Sequence, residues 1–160
     1  MPLIPKTNGP DADRVYTPDW LAQAIVDRFE PTGRIVEPCR GGGAFTHAMP
    51  GCDWYELDEG RDFLIAQGTW DWIITNPPWS KIRQFLAKAI ELKVPNIVFL
   101  MNMNAVATKA RLKVIYRNNY HIREIWCVDT PPEFPQMGFQ LAAIHIQQGS
   151  GKTEIGFRNV

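Results

Sequence analysis

"WDWIITNPPWSKIRQFLAKAIELKVPNIVFLM", residues 70–101, carries the pattern on which the fold turns. It opens on "WDWIIT" (70–75), apolar on both faces, which predicts a strand at a sheet centre. Ser80 suits a helix cap, and "SKIRQFLAKAIELK" repeats its apolar residues at helical spacing. "NIVFLM" (96–101) then predicts another buried strand. Between the first strand and the helix stand Asn76, Pro77, Pro78 and Trp79. Proline cannot donate to a ladder and drives its predecessor out of the helical region, so the strand must stop at Asn76.

The same alternation extends outward in both directions. Upstream, "YTPDWLAQAIVDRFE" predicts a helix with Thr17 as cap and Pro18 in the first helical position. "RIVE" (34–37) and "CDWYEL" (52–57) are short strands, and "RDFLIAQG" is a turn or short helix. Downstream, "NAVATKARLKVIYRN" is a helix. "IREIWCV" and "FQLAAIHIQ" are adjacent strands joined by the proline-rich "DTPPEFPQMG". This order predicts an α/β fold with a mostly parallel sheet and one antiparallel strand near the C-terminus. Residues 1–14 read as a loose arm, 15–148 as one domain, and 149–160 as a weakly patterned tail.

Composition narrows the function classes. With 160 residues and 45% hydrophobic content, the chain can build one core but not two large ones. Its formal net charge of +0 excludes a broad basic footprint, so any nucleic acid must be held by local patches or with a partner. Three cysteines without a C-x-x-C predict neither a zinc site nor a disulfide framework. His47, His121 and His145 are scattered, and no metal is expected. The opening residues lack a signal-peptide core and no apolar run has membrane length, which predicts a cytoplasmic protein. "GSGKT" (149–153) imitates a phosphate-binding loop, but its first glycine position is filled by Ile146.

In a parallel sheet, ligands sit beyond the carboxyl ends of the strands. Three loops are predicted there. "EPCRGGGAF" has glycines at 41, 42 and 43, which permit a sharp turn and a close backbone approach, or simply a turn. "YELDEGRDFL" reads by itself as a solvated acidic turn; alternatively Glu56 or Asp58 can accept hydrogen bonds from a ribose, while Asp62 and Phe63 can hold an adenine amino group and stack its ring. In the third loop the Asn76 amide and the Pro77 carbonyl are fixed acceptors, with Trp79 as a flat face beside them. Two acceptors and an aromatic suit a planar ring that bears an amino group.

"YTPDWLA", "VEPCRGGGAF", "YELDEGRDF" and "TNPPWS" occur in the order and relative placing of S-adenosylmethionine-dependent N6-adenine DNA methyltransferases. The chain resembles most closely the small phage- and prophage-type members, over roughly residues 14–105. The resemblance implies a Rossmann-like class I methyltransferase sheet across residues 15–148. It implies a cofactor, S-adenosylmethionine, with Tyr16, Thr17 and Pro18 at its methionine end. Glu37, Pro38, Gly41, Gly43 and Phe45 would belong to the loop under it, Glu56 would bind the ribose, and Asp62 and Phe63 the cofactor adenine. Asn76, Pro77, Pro78 and Trp79 would form the catalytic loop.

Two departures accompany it. Only five residues separate Glu56 from Asp62, so one βα unit is missing relative to larger members, and the division of roles between Glu56 and Asp58 stays open. No region is long enough for a separate target-recognition domain. Lys81 and Phe134 are candidate contacts to the flipped base or its strand, and Lys109 and Lys113 share a helix face that is either solvated or turned to phosphate. DNA is the expected partner, with a homo- or hetero-oligomer possible. RNA adenine, a protein glutamine amide, or cofactor binding without transfer are the alternatives.

Overall fold

Ile73 and Ile74 are neighbours on one strand and both are fully buried, one in each of two separate cores. A strand buried on both faces requires a covering layer on each side. The computed structural model describes residues 15–136 and 138–160; the arm expected at 1–14 lies outside the described residues.

The chain forms helix α1 (Asp19–Phe29), strand β1 (Ile35–Glu37), helix α2 (Ala44–Ala48) and strand β2 (Asp53–Trp54). Strand β3 (Trp72–Thr75), helix α3 (Ile82–Glu91) and strand β4 (Asn96–Asn102) follow. Then come helices α4 (Met103–Val106) and α5 (Lys109–Arg117) and strands β5 (Tyr120–Cys127), β6 (Leu141–Gln148) and β7 (Glu154–Phe157). Among the described residues these seven strands make one sheet in the order β2-β1-β3-β4-β6-β5-β7. The first four are mutually parallel, β6 runs antiparallel to both β4 and β5, and β7 is parallel to β5. The expected α/β class and the single reversed strand are therefore present.

Alternation along the central strands feeds the two cores. Ile73, Ile97 and Phe99 meet Phe63, Phe85 and Ile115 on one face. Ile74, Val98 and Leu100 meet Leu21, Ile25 and Phe45 on the other. From β1 the chain winds outward to β2, then returns to β3 and β4 on the opposite side. That reversal opens a crevice beyond the carboxyl ends of β1 and β3.

Several boundaries differ from expectation. β2 is only two residues long; beyond it Tyr55 still donates to the Glu37 carbonyl and accepts from the Arg40 N–H, each at 2.9 Å, which ties it to the loop after β1. Its link to β3 holds two 3₁₀ turns, Leu57–Glu59 and Phe63–Ile65, where a doubly wound sheet would place a further strand, so β2 is an edge and the loss of one βα unit is visible. Pro18, not Thr17, caps α1, a one-residue shift. Ser80 lies inside a 3₁₀ turn (Trp79–Lys81), and the α-helix starts at Ile82. The helix expected over 104–118 is split, since the Thr108 hydroxyl accepts from the Arg111 N–H at 3.2 Å and starts a new helix. Residues 154–157 of the weakly patterned tail add a strand to the sheet.

Candidate active site

Three loops meet at the crevice: the glycine turn after β1, the acidic turn after β2, and the proline turn after β3. Asn76 follows directly on β3. Its Nδ2 donates to the Val15 carbonyl at 3.0 Å. A carbonyl can only accept, so this bond sets which side of the amide is nitrogen. The other side, Oδ1, is buried and has no partner among the described residues. A stranded acceptor costs about 1–3 kcal/mol, which a ligand N–H would recover.

Trp79 is half-buried, and its indole N–H donates to the Leu100 carbonyl at 3.4 Å. The indole is thereby tethered across the end of the sheet. Phe134 arrives from the β5–β6 connection with its ring centroid 6.1 Å from that of Trp79, tilted by 47°. Phe134 is itself buried, and Gln136 holds its turn by donating to the carbonyls of Pro131 and Phe134, each at 2.9 Å. Pro77 is buried, Pro78 half-buried, and Lys81 exposed beside the loop.

On the glycine turn, Gly41 and Gly43 have φ of +52° and +92°, which side chains rarely adopt. Tyr16 lies against this turn, so close that a Cβ on Gly41 would sit 3.1 Å from its ring. Glu37 is buried at the end of β1. Its Oε1 accepts from the Cys39 N–H at 2.7 Å and from the Thr75 hydroxyl, while Oε2 is buried without a partner among the described residues. Burial pushes the Glu37 carboxyl up to about 8, against the pull of those two hydrogen bonds. Burial and the neighbouring Glu37 also hold the Cys39 thiol well above its usual range, so it is no nucleophile at neutral pH.

Glu56 and Asp58 are separated by the structure. Glu56 reaches the glycine turn, accepting from the Gly41 N–H at 2.7 Å, and also caps its own turn through the Asp58 N–H at 3.3 Å. Asp58 is exposed. Asp62 caps the next turn, accepting from the Leu64 N–H at 2.9 Å. The Phe63 ring is 2% exposed, stacked on Phe85 and edge-on to Tyr55, so its faces serve the core and not an adenine. Phe45 and Pro38 are likewise buried, Thr17 and Pro18 half-buried. Thr75 and the Val15 carbonyl belong to the site and escaped the sequence reading, because nothing local shows that they face Glu37 and Asn76. The hollows lined by Glu30 and Met49 and by Arg34 and Asp53 lie near the starts of β1 and β2, away from these loops.

No family model and no curated protein matches the chain. Solved structures do. A Listeria monocytogenes protein assigned to the class I S-adenosylmethionine-dependent methyltransferases aligns at TM-score 0.66 and 13% identity, over 96% of this chain and 69% of that one. The fold is that of the class I methyltransferases. The same class I fold appears in the M protein of the type I restriction enzyme EcoKI, at TM-score 0.62 and 15% identity, over 90% of this chain and 46% of that one. A Pyrococcus horikoshii protein assigned as an RNA methyltransferase aligns at TM-score 0.57 and 16% identity, over 82% and 81%. This chain thus spans about half the length of the restriction-system protein it matches, with its class I sheet shortened at the β2 edge.

Proposed function

We propose that the protein transfers a methyl group from S-adenosylmethionine to the N6 amino group of adenine in DNA. The observation that carries this reading is the buried, unpartnered Asn76 Oδ1, held by Val15 beside Trp79. A buried acceptor without a partner among the described residues, in the same turn as an aromatic side chain, suits a flat base that brings its own N–H.

The residues present suit the cofactor. Glu37 holds its proton near neutral pH in the free chain, and a cationic ligand beside its unpartnered oxygen would favour the ionised form; the exposed Tyr16 ring, which lies on the glycine turn, would border the ligand. Tyr16, Glu37, Gly41, Gly43 and Glu56 would hold it, with Asp62 and the Phe63 backbone at its far end. When bound, it supplies an electrophilic sulfonium methyl carbon.

The chain's own task is to shape the nucleophile. The amino nitrogen of adenine is weak because its lone pair is delocalised into the ring. Asn76 Oδ1 and the Pro77 carbonyl accept its two N–H bonds, favour a pyramidal nitrogen and free that pair for in-line displacement. No covalent enzyme intermediate is needed, in keeping with the raised Cys39 thiol. Positioning and preorganised acceptors supply the rate. A duplex base must first leave the stack, which costs a few kcal/mol; stacking on Trp79 returns about 1–3 kcal/mol by analogy with single-strand platforms.

RNA adenine is the second reading, favoured by the similarly sized neighbour assigned to RNA. Tritium transfer from labelled cofactor into DNA, RNA and protein pools separates the two. Asn76→Ala should lower transfer by about 100-fold or more while cofactor binding stays measurable, and Asn76→Asp, which keeps an acceptor, should retain part of the rate. Near-normal turnover of Asn76→Ala removes the assigned role.

A further inference from the structure

The two edges of the sheet are treated differently. β2 is two residues long, and its Trp54 carries the guanidinium groups of Arg40 and Arg61 at 4.5 and 4.4 Å from the ring centre. A short strand under two cations offers nothing to pair with. Among the described residues, β7 has no such cover. Its Ile155 and Phe157 are 59% and 52% exposed, on the face that Ile125 and Cys127 occupy in β5.

Backbone direction completes the description of this edge. The Arg158 N–H donates to the Cys127 carbonyl at 2.8 Å, so residues 154, 156 and 158 turn their polar backbone groups toward β5. By alternation, Ile155 and Phe157 turn theirs outward.

We propose that β7 is a contact between two copies of this chain, pairing antiparallel with β7 of the second copy about a two-fold axis at Gly156. In that register Ile155 faces the second copy's Phe157, so the outward N–H and C=O groups exchange bonds and two apolar side chains meet. On the other face Glu154 stands opposite the second copy's Arg158, and the symmetry repeats the ion pair. The neighbouring registers lack this match. Centring on Ile155 sets Arg158 against Lys152, and centring on Phe157 sets Arg158 against Gly156. At present Glu154 pairs with Arg123 at 3.0 Å, while Arg158 lies 3.6 Å from Asp129 and 5.1 Å over the Trp20 ring; the two ion pairs weigh little against an exchange, and the aliphatic stem of Arg158 can stay on Trp20 as its head turns to the second copy. An axis perpendicular to the sheet points the two crevices in opposite directions, so each Asn76 loop stays clear of the contact.

A four-residue strand makes a small interface, so the dimer is reversible and concentration-dependent. Sedimentation velocity of the full chain across a concentration series tests it. Glu154→Arg and Arg158→Glu should each raise the dissociation constant by about tenfold, since each creates two like-charged cross-strand pairs. The double variant should return to near the wild-type value. Effects within one chain add in the double variant, whereas the intermolecular pair is restored, so recovery reads the contact alone. Circular dichroism checks that each variant is folded. A wild-type chain monomeric throughout the series, or a double variant no tighter than the single ones, overturns the proposal.

Discussion

At the scale of single residues, the site is defined by polar groups left incomplete. Glu37 uses one oxygen for Cys39 and Thr75 and leaves the other stranded, while Asn76 spends its nitrogen on Val15 and leaves its oxygen stranded. For Glu37 this has a pH signature. Its carboxyl rises from 4.5 to about 8 in the folded chain, so the native state holds the proton more tightly than the unfolded one. The stability it contributes is complete below 4.5 and is lost as pH climbs to about 8, on the order of 5 kcal/mol. Denaturant titrations of wild type and Glu37→Gln at pH 5 and pH 8 should therefore show a difference that moves against the wild type at the higher pH. An unchanged difference would show that the Glu37 carboxyl is open to solvent. Asn76 could be singled out in the sequence because two prolines stiffen the chain directly after it; its Val15 tether could not, since 61 residues separate the partners.

Elements depend on a strand that the sequence places only approximately. β6 is inserted antiparallel between β4 and β5, and its His145 is buried against α1 and β3. That ring stacks on Trp72 at 5.1 Å, meets Phe29 edge-on at 5.5 Å, and places Nε2 3.0 Å from the Asn96 Oδ1. Burial, then the nearby Arg123 and His121, lowers its pKa from 6.5 to about 4. The unfolded chain thus takes up this proton first on acidification. Stability from the neutral ring is full above 6.5 and falls toward pH 4, by about 3 kcal/mol. Thermal unfolding across that window should show the loss in wild type and a flatter profile in His145→Gln; equal slopes would assign the acid limb to other groups. At this scale the strong apolar runs of β3 and β4 were readable. β7 was not, because its apolar residues are half-exposed and alternate with Glu154 and Gly156, a pattern that an unpaired tail shares.

For the whole molecule, balanced charge sets the strength of any nucleic-acid contact. With +0 net charge, affinity for duplex DNA should be weak and rest on a few phosphates. The slope of log affinity against log salt should be about −2 to −3, measured by fluorescence anisotropy. A slope near −6 or steeper would reveal a basic surface that the composition hides. What the sequence determined by itself is the α/β class, the order of most elements and the three loops of the crevice. Those rest on local rules: side-chain period, proline geometry and glycine turns act over a few residues. The tertiary structure alone decided that Glu56 reaches the glycine turn, that Phe63 belongs to the core, that Trp79 is tethered beside Phe134, and that the tail adds an edge strand to the sheet. Each of these depends on which distant segment fills the space next to a side chain, and burial between separate segments leaves no periodic trace in either one.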